Sequence, residues 1–252
     1  MQSTNQIAMR IAAGLLALGV FAPVARAEDD ARAILKSMSD YLAKQPSFSA
    51  KFDSDVEVVT TDRQKIQFTS SGTIAIRRPD KLHAVRTGGY ADADMIFNGK
   101  QLAVYARNAK LYAKIDAPGS IDGLITKLEA QGYVFPGADL LMSNVYGELN
   151  AGVLDAKHIG AGVINGVQCE HLAFRNSDTD WQLWVRSGSE PIPCKYVITS
   201  KDVAGAPQYT LTLRDWSSNV NDEFSFVPPA GVKQVDAKAL PSTDEVPEGA
   251  SK

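Results

Sequence analysis

At 252 residues and a formal charge of −3, the chain is long enough for one large β-domain. It is too acidic to offer nucleic acid or an anionic membrane surface the basic face that phosphates demand. Its 44% hydrophobic and 22% charged content is that of a folded globular protein and excludes a predominantly disordered chain.

The first element is a leader. Arg10 precedes an apolar run from Ile11 to Val24, and Ala25-Arg26-Ala27 closes it. A basic start, a short apolar core and an A-x-A site form the pattern of a secretory signal peptide, cut here after Ala27. The run is shorter than the roughly 20 apolar residues that span a bilayer, which disfavours a membrane anchor. No Cys lies near the cut, so no lipid-anchored N-terminus is expected. Cleavage removes Arg10 and Arg26 and no acid, leaving an acidic protein expected in the periplasm.

Asp29 and Asp30 lead into a helix. Ala31, Ile34, Leu35, Met38, Tyr41 and Leu42 recur at spacings of three and four and make one apolar stripe, which Pro46 ends. Strict alternation follows. Phe48, Ala50, Phe52, Val56 and Val58 share one parity, with Lys51, Asp53, Asp55 and Glu57 on the other. Ile66, Phe68, Gly72, Ile74 and Ile76 repeat the pattern. Such period-two segments are antiparallel strands with one wet and one apolar face. Strands are further expected at Leu82–Thr87, Met95–Phe97, Leu102–Tyr105 and Leu111–Ile115, with Asn98-Gly99 as a hairpin turn.

The middle changes character. Ser120 can cap a helix bearing Ile121, Leu124, Ile125 and Leu128, with Gly132 as its stop. Pro136 can open a second short helix through Asp139, Leu140, Leu141 and Met142. Strands return at His158–Ala161, Gln168–Arg175, Asp180–Arg186, Cys194–Ser200 and Gln208–Trp216, with a turn at Asn165-Gly166. The chain is therefore read as a leader (1–27), one domain (28–235) and a polar tail (236–252) expected to be disordered.

The expected fold is mainly β with helices (α+β): a large curved antiparallel sheet forming an open half-barrel of about ten or eleven strands. An N-terminal helix and a short helical insert cover its concave face. Two or three short helices are too few to fill that face, and a residual apolar cavity is a ligand site by default. The expected wall is Phe52, Val56, Phe68, Ile74, Ile76, Leu82, Phe97, Leu211 and Leu213. Leu124, Ile125, Leu128, Leu140 and Leu141 join it from the helices. Taken singly, each of these residues reads first as ordinary core, and the cavity is a claim about the set.

Catalytic patterns are absent from the sequence. His83, His158 and His171 have no metal-ligand spacing, and there is no G-x-S-x-G elbow or phosphate loop. Asp53, Asp55 and Glu57 alternate with inward apolar residues and read as a solvated outer face. Trp181 and Trp184 have opposite parity, so they cannot line one face together. Cys169 and Cys194 are the two cysteines. An oxidising compartment favours their pairing. However, a simple meander sets their strands near 10 Å apart, beyond disulfide reach, unless the loop at Ser187–Pro193 bends one strand end inward. A bonded pair and two buried thiols both remain open.

Four stretches carry a family likeness. They are Phe48-Ser49-Ala50-Lys51-Phe52, Ser71 through Leu82 with its Arg77-Arg78-Pro79-Asp80, Ile96 through Tyr105, and Phe224-Ser225-Phe226-Val227-Pro228-Pro229-Ala230-Gly231-Val232. In order and spacing the chain resembles the periplasmic outer-membrane lipoprotein carrier proteins (LolA) and their relatives, among them a periplasmic family of unknown function. The resemblance implies an open half-barrel with helices over its mouth and apolar walls that hold acyl chains. It also implies a lid-coupling arginine before the matching proline, here Arg78, with Arg77 facing the other way. The chain departs from the carriers in its length, its longer helical insert and its Cys169–Cys194 segment.

The function expected is non-catalytic binding or carriage of a lipid or acyl-chain-bearing molecule, with no cofactor, no metal and no nucleic acid. The rival readings are a periplasmic sensor or regulator with an envelope protein partner, as one member of the resembled superfamily is, and a hydrolase with an unrecognised site.

Overall fold

The computed structural model describes residues 24–247 and 249–250. The core of the predicted leader, residues 1–23, lies outside them. Helix α1 (Val24–Lys44) starts before Ala27, so the predicted cut falls within its first turn. Its stripe is as expected: Ala31, Leu35, Met38 and Leu42 are all fully buried.

The described residues form one 12-stranded sheet. A first meander comprises β1 (Ser47–Val59), β2 (Lys65–Arg77), β3 (Lys81–Gly88), β4 (Ala93–Phe97), β5 (Gln101–Ala106) and β6 (Leu111–Asp116). A second comprises β7 (Asp155–Ile164), β8 (Val167–Arg175), β9 (Thr179–Arg186), β10 (Pro193–Ser200) and β11 (Gln208–Ser217). Both follow from the turns. Asn98-Gly99 joins β4 to β5, and Asn165 and Gly166, both at positive φ, join β7 to β8 as a tight hairpin. β1 pairs with β11 and fuses the meanders into a single open surface. A short β12 (Lys233–Gln234), unanticipated from sequence, adds to β6 in parallel.

The helical insert connects β6 to β7. In the order β12-β6-β5-β4-β3-β2-β1-β11-β10-β9-β8-β7 these strands lie at opposite ends of the sheet. The insert must therefore bridge the opening of the half-barrel. Helix α2 (Ile121–Glu129) is capped by Ser120, whose side chain accepts from the Gly123 amide. The second helix expected at Pro136 is shorter than anticipated, a single 3-10 turn at Ala138–Leu141, and α3 (Val145–Asn150) follows it, capped by Asn144. Segments this short have no periodicity to read.

The apolar face is filled in two places. α1 and α3 pack against the second meander around Leu172, Leu183 and Val185. α2 packs against the first meander around Ile76, Phe97 and Leu102. Each helix group consumes the surface beneath it, and the strip between them is left uncovered by either.

The segment after β11 follows a defined course, which continues into the first residues of the 236–252 tail. After β11 the chain runs along the convex face: Phe224 lies over the Arg77 guanidinium, and Phe226 contacts the rings of Tyr105 and Tyr112. It forms β12 at the sheet edge and makes a 3-10 turn at Ala237–Ala239. Residues 240–246 then enter the concave side, where Leu240 joins the α2 core. Local polarity predicts disorder, but a strand pairing and the sheet's own unfilled face hold this strap in place.

Candidate functional site

The strip between the two cores is a cavity of about 1280 Å³. Its wall comes from β1 to β6, β10 and β11, and its roof from the insert and the C-terminal strap. Of the residues expected in the wall, Phe52, Val56, Ile74, Leu128, Leu140, Leu141, Leu211 and Leu213 line it. The others do not. Ile76 and Phe97 are fully buried, and Leu82 packs with them beneath Leu124 and Ile125 of α2. Phe68, opposite Val56 on the β1–β2 ribbon, is outside the lining. Alternation identifies the apolar face, but the part of that face under α2 is spent on packing.

Sequence reading missed several lining residues, including Phe48, Val104, Trp216 and Tyr209. Phe48 and Trp216 stack at 4.3 Å between ring centroids. The Phe52 ring lies across Gly72, where an added Cβ would come within 2.3 Å of it. Glycine here lets the aromatic ring form a flat piece of wall.

Two inward arginines interrupt this apolar surface. Arg78 donates from Nη1 to the Leu141 carbonyl at 2.7 Å and so ties β2's end to the insert. Its Nε and Nη2 are buried without a partner among the described residues. Burial lowers its pKa from the usual arginine value, partly countered by the charge of Asp122. Arg77 beside it points to the convex face, as its contact with Phe224 requires.

Arg86, at the other end of the cavity, donates from Nη2 to the Thr243 carbonyl of the strap. Its Nη1 lies 3.7 Å from Glu245 Oε1. Ser54, almost fully buried, donates from Oγ to Glu245 Oε2 at 2.8 Å. Tyr209 lines the same end; burial, then the Glu245 charge, pushes its phenol well above the usual value. Arg86, Ser54 and Glu245 thus form one polar niche at the end of a largely apolar chamber.

The remaining polar candidates sit elsewhere, except Glu57, which reaches the cavity lining. Asp53 binds Arg214 and Ser71 on the outer face, and Glu57 pairs with Lys65 while accepting from the Gln208 amide. Trp181 is core, and Trp184 stacks on His171 with Lys195 over its ring, as their opposite parity requires. His158 pairs with Glu170 at 2.9 Å. His83 is more than an exposed strand residue. Its Nδ1 lies 2.8 Å from Asp222 and its Nε2 2.9 Å from Asp94. The bond to Asp94 leads those to Asp222 in raising its pKa, against burial. No group of three or more His, Cys, Asp or Glu among the described residues is arranged to hold a metal ion.

Cys169 and Cys194 are bonded, with Cα atoms 6.8 Å apart. β9 separates their strands, as the meander predicts, and the register between β10 and β9 shifts at Cys194. That bulge brings the two strand ends within disulfide reach.

Among solved structures, the fold is similar to lipoprotein LppX of Mycobacterium tuberculosis, at 14% identity and TM-score 0.49, covering 77% of this chain and 98% of that one. It is also similar to a LolA superfamily protein of Nitrosomonas europaea, at 11% identity and TM-score 0.38, covering 78% and 97%. A third similar structure is the MucA/MucB complex of Pseudomonas aeruginosa, at 13% identity and TM-score 0.43, covering 75% and 56%. No curated protein matches the chain. The model of the family described as predicted periplasmic protein (DUF2092) matches residues 31–237, nearly all of the described domain, and the chain belongs to that family.

Proposed function

We propose that the protein binds, without catalysis, a lipid or other acyl-chain-bearing molecule in the half-barrel cavity. It would do so in the periplasm, after removal of residues 1–27 as a signal peptide. One observation carries this reading: an apolar chamber of about 1280 Å³ lies between two well-packed cores. That volume exceeds the roughly 300–1,000 Å³ of ordinary small-molecule sites. An apolar space this large is unstable as a hydrated void, and each methylene moved into it from water contributes about 0.8 kcal/mol. One acyl chain can therefore anchor cargo with few polar contacts. Arg78 would couple the insert to the sheet, so that entry of cargo moves the roof as a unit.

Native mass spectrometry and lipid extraction of protein purified from a periplasmic fraction test the reading. Recovery of an acyl-bearing molecule, and saturable binding of a fluorescent fatty acid, are expected. Absence of both would overturn it. Stable capture of an envelope protein without any lipid would instead favour a sensor.

A further inference from the structure

The C-terminal strap places a carboxylate, Glu245, inside the chamber that the preceding reading assigns to cargo. An apolar wall has no need of a charge, and an inward arginine is costly unless an anion meets it. Arg86 is inward by the β3 alternation: Leu82 and Ala84, of the same parity, face the α2 core and the cavity. Its Nε is buried with no partner among the described residues, even with the strap in place. Glu245 takes the Ser54 hydroxyl and lies within ion-pair distance of Arg86, and the Thr243 carbonyl takes a second arginine donor. The donors therefore converge on an oxyanion from two strands. β1 supplies Ser54 and β3 supplies Arg86, while Tyr209 of β11 lies beside them as a buried neighbour. Among the described residues, the strap that supplies the anion is joined to the sheet through the two-residue β12, its flanking backbone bonds and a few side-chain contacts.

We propose that Arg86 and Ser54 form an anionic headgroup site for an amphiphile whose acyl chain fills the cavity. Glu245 occupies that site as an internal substitute when cargo is absent. The cargo class is a single-chain or double-chain amphiphile with a carboxylate or phosphate head. Its oxyanion displaces Glu245 from Arg86, and the strap leaves the concave side as the chain enters. This rests on the carrier reading and narrows it: a neutral lipid of the same chain length satisfies the wall but leaves Arg86 with the strap.

Isothermal titration of the full mature chain with laurate, dodecyl phosphate and dodecanol separates the two claims. Wild-type protein is expected to bind at least one of the anions about tenfold more tightly than dodecanol, the advantage of a charge-assisted contact. R86Q should abolish that preference while leaving dodecanol affinity within about twofold. E245Q, which removes the competing charge, should tighten the anion several-fold and dodecanol little. The double variant R86Q/E245Q, which buries no unpaired charge, guards against a folding defect and should lack the preference. The tighter of laurate and dodecyl phosphate identifies the head. Equal affinity of all three ligands for wild-type protein overturns the headgroup site while leaving the carrier reading intact. Failure of all three to bind overturns both.

Discussion

His83 has carboxylates on both ring nitrogens, and only the imidazolium can donate to both. Asp222 comes from the segment after β11, so this contact pins that segment to the convex face. Because the folded pKa is raised, its contribution to stability is complete below about pH 6.5 and is lost as pH rises through the folded value. A two-dimensional NMR titration should place the His83 midpoint above 6.5, and a midpoint at or below that value would contradict the pairing. Asp139 behaves in a related way. Burial pushes its carboxyl up to about 6, against hydrogen bonds from the Leu140 amide and the Tyr196 hydroxyl. A raised acid favours the native state below the unfolded value and opposes it as pH climbs through 6. Asp139→Asn should therefore raise stability at pH 8 by on the order of 2 kcal/mol and leave it nearly unchanged at pH 3.5. Urea melts at the two pH values check this, and equal effects at both would show that charge is not the cause.

At the level of elements, the insert and the sheet meet through few directional contacts, among them Arg78 to the Leu141 carbonyl and Tyr196 to Asp139. Two of that guanidinium's donor atoms have no partner among the described residues, so its removal leaves the Leu141 carbonyl unsatisfied but relieves other buried donors. Arg78→Leu is expected to cost only about 1 kcal/mol of global stability. Amide exchange in residues 131–142 should nevertheless accelerate several-fold, with exchange in α2 unchanged. Uniform acceleration over the whole chain would mean that Arg78 is simply part of the core. Much of this level was legible in advance. Every strand expected from alternation exists, as do the Ser120 cap and the Asn98-Gly99 turn. The short α3 and β12 were not legible, because six- and two-residue elements have no period and are stabilised by what they dock onto.

For the whole molecule, the cavity exists because two helix groups cover a sheet wider than both. Adding bulk to the uncovered strip should remove binding without unfolding the protein. Ala84 lines the chamber from β3. Ala84→Trp is expected to weaken fluorescent fatty-acid binding by about tenfold or more, with the far-UV circular dichroism preserved. Undiminished affinity would place the ligand elsewhere.

The amino-acid sequence by itself determined the local order. Period-two alternation, hairpin turns and a helical stripe dictate which segments are strands or helices and which face of each is apolar. Only the tertiary structure decided which inward residues pack and which line a void, since that depends on where α1, α2 and α3 happen to lie on the sheet. It also decided that β6 and β7 stand at opposite edges, so that the insert spans the mouth, and that a polar C-terminus returns to put Glu245 opposite Arg86. Each of these is a pairing between segments distant in the chain, set by shared surface and charge rather than by the properties of either segment alone.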